Sequence, residues 1–213
     1  MLRLDRIGPH APSPELAVPA ISPTQRLVEL PAAPLLDSQS GEPPRLPTSL
    51  RVALRGDTLC VRFDGRDEGV VATYRNRDEN LWEEDVFEVF LAPVDPPHLY
   101  FEFEVNPLGT LFDARVDSPN LVRAGMKVDT SWDCAGLSAT VRRREGKWSA
   151  ALSIPLRELV DPIPRRWRAN FYRVDRGSPS GAGDEFSAWS PILRQPADFH
   201  ETERFGVLRF GDE

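Results

Sequence analysis

From about residue 50 onward, no stretch of this chain sustains a helical period over three turns, while short runs of period-two alternation recur between turn signals. That combination constrains the fold more than any other feature, because alternation fits strands that bury one face. SLRVALRG and TLCVRFDG flank Gly56-Asp57, a compact hairpin signal, and Leu59, Val61 and Phe63 share one face of the second run. EEDVFEVFLAP sets Phe87, Val89 and Leu91 on one side, with Val86, Glu88 and Phe90 opposite. LSATVRRREGKWSAALSIPL reads as a hairpin about Glu145-Gly146, whose returning strand aligns Trp148, Ala150, Leu152 and Ile154. WRANFYRVD and RFGVLRF close the series, and ELVDP allows one helical turn. The expectation is an all-β fold, an antiparallel β-sandwich of the immunoglobulin or jelly-roll kind.

The N-terminal segment obeys other rules. Ten of the 21 prolines fall in the first 47 residues, a density that excludes helices and central strands. Residues 1–45 are therefore expected to form a Pro-rich extended arm without its own core, and residues 46–213 a single β-sandwich domain. SPSGAGDE, Gly- and Ser-rich, reads as a loop tip.

A net charge of −7 argues against nucleic acid or an anionic membrane as the main partner, and no window approaches the length of a membrane span. Charges and prolines interrupt the N-terminus where a signal peptide needs a continuous apolar stretch, so the chain as given reads as cytoplasmic. A removed leader would make it extracellular. Cys60 and Cys134 fit neither a disulfide framework nor a zinc site and are expected as buried thiols.

The hairpin YFEFEVNPLGTLFDAR concentrates polar groups. Phe101, Phe103 and Val105 alternate with Glu102, Glu104 and Asn106, and beyond the turn Asp113 and Arg115 alternate with Phe112, Ala114 and Val116. A four-residue loop would set Glu102 opposite Arg115 and Glu104 opposite Asp113. The second pair is unfavourable unless a cation, a shared proton or a donor-rich ligand relieves it. A solvated outer face in a different register is the alternative. Glu88 extends the same acidic surface if it faces the same way.

Among the tryptophans, Trp148 lies on an apolar stripe and reads as core, Trp167 as core or edge packing, and Trp132 stays undecided. Trp82 and Trp189 sit in polar, loop-like sequence, where an exposed indole would offer a flat apolar face to an amphipathic ring such as a sugar. Packing against the arm is the competing expectation for both. The chain has no Gly-rich phosphate loop, no GxSxG elbow and no HExxH. Two alternatives to a binder remain: a glycoside-processing enzyme using Glu88, Glu102 or Glu104, and a sandwich-fold haem domain drawing on His10, His98 or His200.

Taken in order, LWEEDVFEVFLAP, YFEFEVNPLGTLFDARV, WRANFYRVD, SAWSP and FHETERFG resemble carbohydrate-binding module family 9, from roughly residue 45 to the end. The resemblance implies a non-catalytic β-sandwich that holds the end of a glucan or xylan chain between two tryptophans. By position in the motifs these would be Trp82 and Trp189, with Glu88 accepting from a hydroxyl and Asn106, Arg115 and Asn170 in the polar part of the site. It also implies structural calcium but no required cofactor, and the acid-rich EEDVFE and DGRDEG are the stretches whose oxygens suit such a hard cation. No catalytic domain accompanies the module within these residues, a departure that puts the family's usual role of tethering a hydrolase to its polymer in doubt.

Overall fold

The computed structural model describes residues 13–177 and 183–211. Its strands are β1 (Glu15–Val18), β2 (Ala33–Pro34), β3 (Leu36–Asp37), β4 (Thr48–Arg55), β5 (Thr58–Arg66), β6 (Val86–Ala92) and β7 (Leu99–Val105). They continue as β8 (Leu111–Asp117), β9 (Lys127–Asp129), β10 (Ser138–Arg144), β11 (Lys147–Pro155), β12 (Arg166–Asp175), β13 (Glu185–Ala188) and β14 (Gly206–Phe210). Among the described residues the only helical elements are single 3-10 turns, one of them Leu156–Glu158 in the expected ELVDP region.

Two sheets face each other. The larger runs β1-β14-β12-β6-β7-β8-β9, and β13 joins β12 to β3; the smaller runs β10-β11-β5-β4-β2. All pairings between named strands are antiparallel except β1 with β14. The two short turns stand where the sequence puts them, at Gly56-Asp57 between β4 and β5 and at Glu145-Gly146 between β10 and β11. The result is an all-β sandwich.

The alternating residues meet between the sheets. Leu59, Val61, Phe63, Trp148, Ala150, Leu152 and Ile154 of the smaller sheet pack on Phe87, Val89, Leu91, Phe101, Phe103 and Phe171 of the larger. Phe87 stacks on Phe63 at 4.7 Å and on Trp148 at 3.8 Å between ring centroids. Each such side chain, removed from water, contributes about 1.5–3 kcal/mol. Cys60 and Cys134 are buried free thiols.

The arm joins both sheets at their margins. β1 lies on the edge strand β14, β2 pairs with β4, and β3 pairs with β13, so the prolines among the described residues of the arm sit in short edge strands and connections. Residues 1–12 lie outside the described residues, as do 178–182 of the expected loop tip.

A second layer covers the far face of the larger sheet. Residues 189–205 cross it as a strap whose Ile192 and Phe205 pack on Phe90, Tyr100, Val116 and Tyr172. Every residue of β6 is consequently buried, including Glu88. The polar strand face is not a wet surface. It is the floor beneath a strap.

Candidate functional site

Register decides which polar groups reach that floor. Val105 pairs with Leu111, so five residues close the β7–β8 hairpin rather than four. The Asn106 side chain enforces the wider loop: its Oδ1 accepts from the Leu108 and Thr110 amides at 3.0 Å, and its Nδ2 donates to the Tyr74 carbonyl at 2.8 Å. Gly109, at φ +87°, supplies the left-handed turn position. One extra residue inverts the partner assignment. Glu102 pairs with Ala114, Glu104 with Phe112, and Asp113 with Phe103 on the opposite face. The expected Glu104–Asp113 and Glu102–Arg115 pairs are absent. Asp113 instead accepts from Arg77 and, at 2.6 Å, from the Cys134 amide.

The carboxylate that does face Glu104 is Glu88, its direct partner across β6 and β7. Oxygens of Glu88, Glu102 and Glu104 lie within 4.8 Å of one another, and all three residues are buried. No nitrogen or hydroxyl of a described residue donates to either Glu104 oxygen or to Glu88 Oε1, and the close partner of the Glu104 carboxyl is that of Glu102. Burial pushes all three acids up: Glu102 to about 7, with a hydrogen bond to Glu104 and the charge of Arg123 acting against the rise, and Glu88 and Glu104 well above the usual carboxylate range, with neighbouring carboxyls adding to the rise of these two.

Above this floor opens a cavity of about 470 Å³. Glu88 and Glu102 reach it from below, and its walls are largely aromatic, from Trp82, Phe112, Phe186 and Phe199. Trp82 rides on the 3-10 turn Leu81–Glu83, is 38% exposed, and meets Phe112 edge-on at 5.3 Å. Arg176 donates to the Trp82 carbonyl at 2.7 Å and so fixes the backbone that presents the indole. From the strap come Asp198, gripped in two-pronged fashion by Arg123 at 2.9 and 3.0 Å, and His200, whose Nδ1 lies 2.7 Å from the Tyr100 hydroxyl. Burial, then Arg123, lowers His200 to about 4, so the imidazole is neutral at pH 7. The arrangement offers flat apolar walls, acceptors below and charge-assisted groups at one end.

The structure brings together only part of the expected site. Trp82 and Glu88 share the cavity. Trp189 does not join them: it is 7% exposed, packs edge-on against Phe171 at 5.6 Å, and belongs to the core between the sheets. Trp82 belongs to the opposite face of the larger sheet, so no ring can lie between the two indoles. The close approach of Gly206 makes the room for Trp189, since a Cβ there would stand well under 3.0 Å from two indole atoms and 2.7 Å from the Pro14 carbonyl. Asn106 holds the hairpin loop. Asn170 holds the start of the strap, donating to the Ser190 carbonyl at 2.8 Å and accepting from its amide at 2.9 Å. Arg115 is exposed beside Asp129 on β9, away from the cavity. Arg123, Arg176, Phe186, Phe199 and His200 were not singled out from sequence as ligand contacts, although Phe199 and His200 open the FHETERFG block.

Calcium finds its expected stretches joined elsewhere. Asp67 of DGRDEG and Asp85 of EEDVFE converge with Asp175. Arg173 already donates to Asp67 and Asp175, at 3.2 and 2.5 Å, and the Val71 and Arg176 amides donate to Asp85 at 2.7 Å. Oxygen-only donors fit a hard cation, but an ion here would have to share these carboxylates with a resident guanidinium. In a third acidic group, Asp78, Asp113 and Asp133, Arg77 plays the same part. Neither alternative chemistry gains an arrangement of its own. The three glutamates crowd one point instead of flanking a scissile bond. His98 sits in the turn after Pro96 and His200 under the strap, while His10 lies outside the described residues.

The buried titrating groups set a pH dependence of stability. Glu102 and Asp85 both stand near 7, against ordinary values of 4.5 and 3.8, so their contribution is full below about pH 4 and lost as pH rises to 7. His200 acts oppositely, contributing fully above 6.5 and losing that as pH falls toward 4. Two carboxyls outweigh one imidazole. Calorimetric scans in chelator should give a higher melting temperature near pH 5 than near pH 7.5; the reverse order would contradict the assignment.

Residues 38–210 match the model of carbohydrate-binding family 9. A curated relative from Arthroderma benhamiae, named an extracellular protein, is 26% identical over 175 residues, covering 76% of this chain and 78% of its own. Among solved structures, a Bacteroides uniformis protein named for carbohydrate binding superposes with a TM-score of 0.73 at 19% identity, over 93% of this chain and all of that one. A family 9 module from Caldicellulosiruptor kristjanssonii, in complex with glucose, gives 0.65 at 10% identity, covering 94% of this chain and 97% of the module. Its complex with cellotriose gives 0.66. At these identities the superpositions speak to the fold.

Proposed function

We propose that this chain, which belongs to carbohydrate-binding family 9, holds the end of a glucan- or xylan-type chain in the cavity beside Trp82. It is a non-catalytic module. The observation that carries the proposal is one cavity with a half-exposed indole on its wall and buried carboxyls on its floor. A pyranose presents the matching surfaces, an apolar ring face for Trp82 and peripheral hydroxyls for Glu88 and Glu102. Phe199 and Phe186 stand in for the second tryptophan as the remaining aromatic walls. Asn106 and Asn170 support the site by holding the hairpin loop and the strap. The Caldicellulosiruptor module's glucose and cellotriose complexes favour a gluco-configured ligand.

The test is isothermal titration calorimetry with cello- and xylo-oligosaccharides, preceded by a glycan array. Saturable binding that quenches tryptophan fluorescence is expected, because Trp82 is the most exposed indole. An array with no hits, repeated at millimolar oligosaccharide without heat, would remove the reading. An extracellular setting suits a polymeric ligand and agrees with the name of the fungal relative, so it replaces the cytoplasmic expectation. Recovery of the protein from cell extract but not from the culture medium of its source would count against that setting.

A further inference from the structure

The outer face of the smaller sheet carries a charge pattern opposite to that of the whole chain, which has 33 acidic residues against 26 basic ones. Leu59, Val61 and Phe63 of β5 turn to the core, so Arg62, Asp64 and Arg66 turn outward. Arg66 stands directly opposite Lys147 of β11, and Lys147 directly opposite Arg144 of β10. Three cations therefore share one row across three strands. Arg142, two residues along β10 on the same side, faces Ser149, which in turn faces Asp64. These side chains border a pocket of about 290 Å³.

Like charges directly opposite one another weaken a sheet, and nothing local offsets these. Among the described residues, no side chain bonds or pairs with those of Arg66, Arg142, Arg144 and Lys147, all of them exposed. Asp64 is the one acid among the described residues that border the pocket, and it is already taken. Arg51 donates to it at 3.1 Å, and Arg62 at 2.5 and 2.8 Å. Asp67 and Glu68, which follow Arg66, are held by Arg173 and Arg45.

We propose that this pocket is a second binding site, which takes the oxyanion groups, carboxylate or sulfate ester, of an acidic oligosaccharide. Planar guanidiniums hold such groups through paired N–H bonds. Neighbouring strands lie about 4.8 Å apart, so the row from Arg66 to Arg144 spans about 10 Å. That spread suits a short chain with several oxyanions better than a single free ion. Nucleic acid is the less suited polyanion. The aromatic residue at the pocket, Trp148, is buried and stacked on Phe87, leaving no ring for a base, and a net charge of −7 repels a ligand charged at every unit. The saccharide part of the proposal rests on the carbohydrate-binding reading of the chain; the anion part rests on this face alone. The cavity beside Trp82 lies beyond the other sheet, so the two sites face opposite directions and fill independently.

The experiment titrates the full chain by calorimetry with an oligogalacturonate, a sulfated oligogalactan, the same oligogalactan unsulfated, and a short oligothymidylate. Saturable binding of at least one acidic saccharide is expected, and which of the two binds names the oxyanion. Its affinity should fall at least about tenfold in Arg142→Gln/Arg144→Gln, and should fall in the parent as salt rises from about 20 to about 200 mM. Cello-oligosaccharide binding should be the same in that variant as in the parent. Both substitutions lie at exposed positions of an edge strand and remove like charges, so the melting temperature should stay or rise. If that variant does not fold, Arg66→Gln/Lys147→Gln serves the same comparison. No binding of either acidic saccharide at low salt overturns the proposal, as does affinity that both double variants keep, or unsulfated galactan binding as tightly as the acidic ligands. Oligothymidylate binding equally well overturns the saccharide assignment. Failure of cello-oligosaccharides alone overturns only the site beside Trp82.

Discussion

Replacing Arg173 by leucine is expected to cost about 3–5 kcal/mol of stability, the range for breaking a buried ion pair from one side. The side chain is 1% exposed and ties the two sheets together. Its Nη1 donates to Thr48 Oγ1 at 3.1 Å and to the Leu46 carbonyl at 3.3 Å, while Nη2 reaches Asp67 beyond β5 and Asp175 at the end of β12. Leucine would leave two buried carboxylates facing each other near Asp85, with no charge to offset them. For a chain of this size each kcal/mol moves the melting temperature by about 2–4 °C, so a drop on the order of 10 °C should appear at pH 7.5. Adding Asp175→Asn to the leucine variant should recover part of the loss by removing one orphaned charge. A single variant that melts within about 2 °C of the parent would show that the guanidinium is not what holds this corner of the sandwich.

Strand faces were legible in the sequence; what covers those faces was not. Alternation placed Phe87, Val89 and Leu91 in the core, as it did Trp148, Ala150 and Leu152. The same pattern cannot say whether the opposite face meets water or a strap. A hint lay in β6, where Val86, Phe90 and Ala92 accompany Glu88 on the second face, an apolar content suited to burial on both sides. The register of β7 with β8 was missed because it turns on loop length, and the side chain of Asn106, the first residue of NPLGT, sets that length at five by accepting from the Leu108 and Thr110 amides. Trp189 was misplaced for a related reason. Its polar neighbours describe the chain around it, whereas its burial follows from the close approach allowed by Gly206, 17 residues later in the chain. Trp82 and Glu88 were found because polar sequence surrounds the one and the family motif places the other six residues beyond it.

Alanine at Trp82 should weaken sugar binding by roughly thirtyfold, about 2 kcal/mol, as for an aromatic anchor at a binding site. The fold should hardly notice, since the indole is 38% exposed and contacts the protein chiefly through the edge of Phe112. The Arg176 bond goes to the backbone carbonyl of residue 82 and survives the substitution. Alanine at Trp189 should do the opposite. Its loss would open a hole between the sheets beside Phe171, at about 3–5 kcal/mol for a buried tryptophan, and lower the melting temperature accordingly. Whatever fraction of that variant folds should bind sugar with near-parental affinity, because the indole has no surface in the cavity. Calorimetric titration with the best oligosaccharide and a thermal melt on each variant read both quantities. The crossed outcome, a Trp189→Ala protein that melts normally but does not bind, would put that indole back at the site. Parental affinity in Trp82→Ala would leave the cavity's aromatic wall without a part in binding.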